Sequence, residues 1–292
     1  MPTLRDIRKR LKAIQNTKKI TAAMKMVAAA KLRKVQDRML NFRPYAIKMD
    51  SVLSDLAKGT EREIHPLLAM RPRKTVEVIV LTSDRGLCGA FNTNILRASA
   101  NYIAGLKKEG FELSISTVGR KARDYFRRRN VPLRKSWTGL SGKVSYTNAQ
   151  EIASDLMETY TNETVDEVVL IFNEFKSLIL QKVTILKLLP LGSLEPEEVQ
   201  AHGPLTSGDL LYEPSKETIF ETLLPKHIEI QVYRGLLESQ AAEEAARMAA
   251  MENATKNCGE LIDKVTLLAN KVRQAGITKE LMDIVGGVEA LK

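Results

Sequence analysis

The loop Ser83-Asp-Arg-Gly-Leu-Cys-Gly-Ala-Phe-Asn92 carries a carboxylate, a guanidinium, a thiol and two glycines within ten residues. It lies between a strand pattern and a helix pattern, where backbone N–H groups and a helix N-terminus can cradle phosphate. Gly86 and Gly89 alone, however, make neither G-x-G-x-x-G nor a Walker A loop. Gly139-Leu-Ser-Gly-Lys-Val144 comes nearer, but its glycines are too close together. Val144 also stands where a Ser or Thr would hold magnesium, and no strand leads into the segment. Arg85 could lower the pKa of Cys88, although a lone loop thiol is more often inert. Asp84 and Arg85 are read as organisers of the turn, and Arg127-Arg128-Arg129 as a solvated helix end. His65, His202 and His227 lie far apart without metal-ligand spacing, and no Ser-His-Asp or Cys-His pattern stands out. The expectation is therefore no catalytic residue, no metal and no cofactor.

The elements that must position these residues fall into three parts. From Thr3 to Arg43 there is no Gly or Pro, and strong helix formers dominate. Leu4, Ile7, Leu11 and Ile14 follow 3-4-3 spacing, as do Leu32, Val35, Met39 and Phe42. The eighteen residues from Ile14 to Leu32 are read as two heptads plus four, a stutter in the Ala- and Met-rich stretch. Pro44 kinks or ends the helix, and Tyr45–Lys58 is again helical in composition. At the other end, helical composition follows Pro225, with Gly235, Gly259 and Gly276 as weak points. Its seam is read as Leu261, Val265, Leu268 and Val272, resuming after a phase break near Gly276 at Ile277, Leu281, Ile284, Val288 and Leu291. Two stripes that cannot bury themselves alone predict an antiparallel coiled coil of the terminal helices.

Between them the period changes. Strands are predicted at 75–81, 111–118, 167–172 and 183–189, with helices at 94–108, 121–129 and 147–160. Alternation of this kind predicts an α/β sheet domain. The expected fold class is thus α/β with long terminal helices, divided as 1–58, 74–205 and 206–292. Glu195–Pro214 reads as an irregular return segment.

Charge is concentrated at one end. Residues 1–58 hold fifteen Lys or Arg against four Asp or Glu, while the remaining chain is nearly neutral with 30 against 31. Such a segment calls for an acidic partner. No window approaches the roughly 18 apolar residues of a membrane helix, and two cysteines form no disulfide framework.

Three stretches in order resemble the gamma subunit of F-type ATP synthases. They are Ile7–Arg10 with Asn16-Thr-Lys-Lys-Ile-Thr-Ala-Ala-Met-Lys-Met-Val-Ala-Ala-Ala-Lys-Leu-Arg33; Ser83–Gly89; and Met251–Asn257 with Asn270–Thr278 and Ile284-Val-Gly-Gly287. Gly276 departs from the family's usual Ala or Ser, which bears only on local helix stiffness. The resemblance implies an antiparallel coiled coil of both terminal helices and a Rossmann-like central domain, together a rotor shaft without an active site, set in a ring of alpha and beta subunits and footed near the epsilon subunit and the c-subunit membrane ring. It implies no nucleic acid and no direct lipid insertion. The lack of a transit-peptide pattern implies a bacterial source, with the chain peripheral to the cytoplasmic face of the plasma membrane. By the same resemblance Met24 and Lys25 meet the acidic lever of beta, and Arg247, Arg273 and Gln274 touch beta-subunit loops. Ile284 and Val285 belong to an apolar tip, 284–291, in the ring's bearing. Two rivals come from the residues alone: a basic nucleic-acid-binding coiled coil and a Rossmann-type nucleotide enzyme with helical arms.

Overall fold

The computed structural model describes residues 3–57, 65–69, 71–178, 180–191 and 216–289. The return segment expected at 195–214 lies outside them, as does Leu291. The described residues divide into two compact units, one formed by residues up to 29 together with those from 247 onward, the other by 30–246.

The first helix, α1, runs Leu4–Ala57 with Pro44 inside it, so the proline does not end it. A one-turn 3-10 helix at Pro66–Leu68 precedes β1 (Thr75–Leu81), α2 (Phe91–Lys108), β2 (Glu112–Val118) and α3 (Arg120–Arg127). Then come β3 (Lys135–Trp137), α4 (Tyr146–Thr161), β4 (Glu167–Phe175), β5 (Gln181–Leu189) and α5 (Lys216–Glu289). Pro225 therefore lies inside α5, which starts before the proline expected to precede it.

In the larger unit the sheet order is β3-β2-β1-β4-β5, with β4 and β5 antiparallel and the other pairs parallel. The three-residue β3 was not anticipated. Alternation along β1 feeds two cores. Val76, Val78 and Val80 pack with Ile95 of α2 and Phe126 of α3. Ile79 and Leu81 join Leu53 of α1, Leu156 of α4 and Leu236 of α5. A strand covered on both faces reads as a continuous apolar run, hence the clarity of β1 in the sequence. Ser145 caps α4: its hydroxyl accepts from the Asn148 N–H, and the Asn148 side chain accepts from the Ser145 N–H at 3.0 Å.

Gly235 is a packing requirement in α5. A Cβ there would stand 2.7 Å from Leu170 Cδ2, on a side chain buried in the core. At Gly276 a Cβ would meet nothing within 4 Å. Replacing glycine by alanine inside a helix gains about 1 kcal/mol, whereas overpacking costs about 1–3 kcal/mol. Gly235→Ala should therefore lower the thermal midpoint and Gly276→Ala raise it, which paired melting curves will test.

The seam of α1 is an unbroken heptad, not a stuttered one. Ile7, Thr21, Ala28, Val35 and Met49 are buried, with half-buried Ile14 and Phe42 completing the seven-residue repeat. Thr21 and Ala28 occupy the inward positions of this stretch, while the larger Ile20, Met26 and Val27 face outward. On α5 the seam of the smaller unit is also shifted from the expected one. Met251, Cys258 and Val265 are buried and Thr255, Ile262, Ala269 and Val272 half-buried, while Leu261 and Leu268 lie outside the seam, each 43% exposed.

Candidate functional site

In the larger unit, the loop after β1 is tied down by one carboxylate. Asp84 Oδ1 accepts from the Arg120 N–H at 3.0 Å, and Oδ2 accepts from the N–H groups of Gly139 at 2.9 Å and Ser141 at 3.2 Å. The Asp84 N–H in turn donates to Ser141 Oγ at 2.9 Å. Asp84 thus organises the turn, as its position in the loop suggested. Asn92 Oδ1 accepts from the Ser83 N–H, and the Asn92 amide donates to Cys88 Sγ at 3.1 Å. The Cys88 thiol is buried, so Arg85 does not display it to solvent reagents. Leu87 at the tip is exposed, with φ 63.

Strand order reverses between β1 and β4, the place where open α/β sheets receive ligands. Here the crevice is filled by protein: Cys88, Phe91 and Ala242 pack together, with Phe175 and Ala246 against them. Glu238 of α5 accepts from the Phe175 N–H at 2.9 Å, and burial lifts its carboxyl above the usual range against that hydrogen bond. The segment 139–144 is stitched down as well: Arg38 donates to the Val144 carbonyl at 3.1 Å, and Val144 is buried.

In the smaller unit the two helices run antiparallel. Lys25 Nζ bonds Glu252 Oε1 at 2.6 Å, and Thr255 Oγ1 donates to Thr21 Oγ1 at 2.8 Å. A Cβ on Gly259 would lie 3.4 Å from Lys18 Nζ. In each pair the two numbers sum to nearly the same value, so Leu4 falls level with Val272. Residues 273–282 and 284–287 of α5 are accordingly exposed. They include Ile277, Leu281, Ile284 and Val285, an apolar face that lies past the start of α1 and is uncovered among the described residues.

The expected contact residues do not gather into one cluster. Arg273, Gln274, Ile284 and Val285 stand on the bare end of α5. Met24 and Lys25 are half-buried on the paired stretch, with the Lys25 charge engaged by Glu252. Arg247 is buried within the chain. Glu252 was missed, because only the helix register brings it to Lys25. Exposed Ile20 and Val27 were missed too, although apolar residues seven apart outside the seam are a readable signal of a second face. Among the described residues, no helix is long and apolar enough to cross a membrane.

Comparison with known proteins covers the whole chain. The ATP synthase family model matches residues 3–291. An ATP synthase gamma chain of Anaeromyxobacter sp. (strain K) is 48% identical over 100% of both chains, and one of Pelotomaculum thermopropionicum is 46% identical over 100% of both. A chain in a structure of the central stalk and c-ring of Tetrahymena thermophila mitochondrial ATP synthase is 30% identical, with TM-score 0.59. The match covers 80% of this chain and 99% of that one. A chain from the Euglena gracilis mitochondrial ATP synthase, in a structure of OSCP, F1 and c-ring, has TM-score 0.67 at 23% identity. It covers 99% of this chain and 94% of that one, a likeness of fold. With this agreement from end to end, the chain belongs to the ATP synthase gamma-chain family.

Proposed function

We infer that the chain is the central rotor shaft of an F-type ATP synthase, coupling rotation of a membrane ring to ATP synthesis or hydrolysis while doing no chemistry itself. The observation that carries this reading is full-length identity of 48% to an ATP synthase gamma chain. The paired helices supply stiffness, and the bare apolar end of α5 supplies a surface that a surrounding ring would cover. We assign its partners as the alpha and beta subunits around the paired helices, and the epsilon subunit and c-ring on the sheet-bearing unit. Its place is then peripheral, on the cytoplasmic face of a bacterial plasma membrane. Met24, Lys25, Arg247, Arg273, Gln274, Ile284 and Val285 are the proposed contact residues. The nucleic-acid reading gains no support from these relatives.

The test is reconstitution with alpha and beta subunits and observation of ATP-driven rotation of a probe on a Lys108→Cys variant, whose label site is exposed while both native cysteines are buried. Hydrolysis by the assembled ring with a stationary probe would sink the shaft reading. Torque should come from many contacts rather than one. The Lys25–Glu252 pair has side chains 39% and 56% exposed, and pairs of that kind contribute about 0–1 kcal/mol. Lys25→Ala should therefore change coupling by less than about threefold, measured as ATP made per proton-driven turn. Complete uncoupling with assembly intact would point instead to a single dominant contact.

A further inference from the structure

We propose that the larger unit holds one structural water in a polar cavity where α5 meets the C-terminal ends of β1 and β2. The cavity measures about 30 Å³ and takes side chains from Thr82, Ser141, Ser239, Gln240 and Glu243, with leucines and valines supplying the rest of its wall. A water needs about 10–15 Å³ on such a measure and two to four polar partners, so the space suits one molecule. Gln240 is 6% exposed, and its Oε1 is buried with no protein hydrogen-bond partner. A buried amide oxygen of this kind requires a donor.

The other groups on the wall define what that donor is. Thr82 Oγ1 already donates to the Val118 carbonyl at 3.2 Å and accepts from the Ala122 N–H at 2.9 Å. Ser141 Oγ accepts from the Asp84 N–H and donates to Glu243 Oε2 at 3.3 Å. Neither hydroxyl has a proton left for Gln240. A water can donate one hydrogen to Gln240 Oε1 and one to the Glu243 carboxylate, which has lone pairs for several donors, while accepting from Ser239. A metal ion fits less well, since the wall offers a single carboxylate and two hydroxyls already engaged. The water's three partners all lie on α5, and it reaches the 139–144 loop only through the Glu243 carboxylate, which Ser141 bonds directly.

A high-resolution crystal structure of the full chain should show one solvent peak about 2.7–3.2 Å from both Gln240 Oε1 and Ser239 Oγ. An empty cavity, or a peak replaced by rubidium on soaking, overturns the proposal. The second measurement is thermal unfolding of Gln240→Met and Ser239→Ala, singly and together. With the water in place, Gln240→Met lowers the midpoint by about 2–4 °C. The double variant then loses less than the sum, because both residues act through one molecule. A rise in midpoint for Gln240→Met, or strict additivity, shows a dry amide and rejects the water.

Discussion

Gly119→Ala is expected to lower the thermal midpoint by about 10–15 °C, the most damaging single methyl group in the larger unit. Gly119 has φ 95 and ψ 145, a region open essentially to glycine alone, and strain there costs about 1–3 kcal/mol. A Cβ would also stand 2.2 Å from the Thr82 carbonyl oxygen and 2.7 Å from its carbon. Those are backbone atoms, and they cannot rotate away as a side-chain end would. Thr82 is held by its N–H to the Val118 carbonyl at 2.8 Å, and the Gly119 N–H donates to the Trp137 carbonyl at 2.8 Å. Relieving the clash therefore separates the ends of β1, β2 and β3, adding about 1–3 kcal/mol of overpacking. Together these approach half of an ordinary domain's stability of about 5–15 kcal/mol. Gly139→Ala is the control, since its φ is 87 but a Cβ would meet nothing within 4 Å. Melting curves followed by circular dichroism should place Gly139→Ala well above Gly119→Ala; equal losses would refute the backbone clash.

Arg134→Ala should cost about 3–5 kcal/mol, the range for stranding one member of a buried ion pair. Glu77 in β1 is fully buried, and its Oε1 receives Arg134 Nε at 3.1 Å, while Oε2 has no hydrogen-bond partner. The same guanidinium donates to Asp155 Oδ2 at 2.7 Å, and Lys135 donates to Oδ1 at 2.7 Å. Replacing both Glu77 and Arg134 by leucine should recover most of the loss, because no charge is then left in the core. Denaturant titration of the two variants separates the outcomes; equal losses would mean that Arg134 acts through its packing instead. The pH dependence has a definite sign. Burial raises the Asp155 pKa, but hydrogen bonds from Arg134 and Lys135 outweigh it and hold the carboxyl below its ordinary 3.8. A group depressed by folding contributes above its unfolded pKa and loses that contribution as pH falls through the folded value. Wild-type stability should therefore drop below about pH 4, and Arg134→Ala should flatten that part of the curve.

How much of this was legible depended on whether a residue's neighbours are local. β1 and β4 are apolar on both faces, and that pattern is visible without a partner. β3 has three residues, two of them polar, which is too short to express a period. The unbroken heptad of α1 was hidden because Thr21 and Ala28 fill inward places with small side chains, while exposed Met26 and Val27 catch the eye. On α5, Leu261 and Leu268 repeat as regularly as Ile262 and Ala269, and only the register against α1 decides which stripe turns inward. The exposed character of Arg273, Gln274, Ile284 and Val285 follows from where the neighbouring helix ends. Their place in the chain was readable from the family resemblance, whereas the engagement of Lys25 by Glu252 and the burial of Arg247 arise only when the chain is folded.

Asp84 carries a last consequence. Its two oxygens receive the N–H groups of Arg120, Gly139 and Ser141, and so bind the loops leaving β1, β2 and β3 to one another. Three connections that share one acceptor group have correlated fates: releasing one frees an oxygen without giving the other loops a substitute. The rim of the sheet should then open as a single cooperative event with one free energy, rather than fray loop by loop. For a body that must pass on a twist, such a rim behaves as a flange, yielding everywhere at once or not at all.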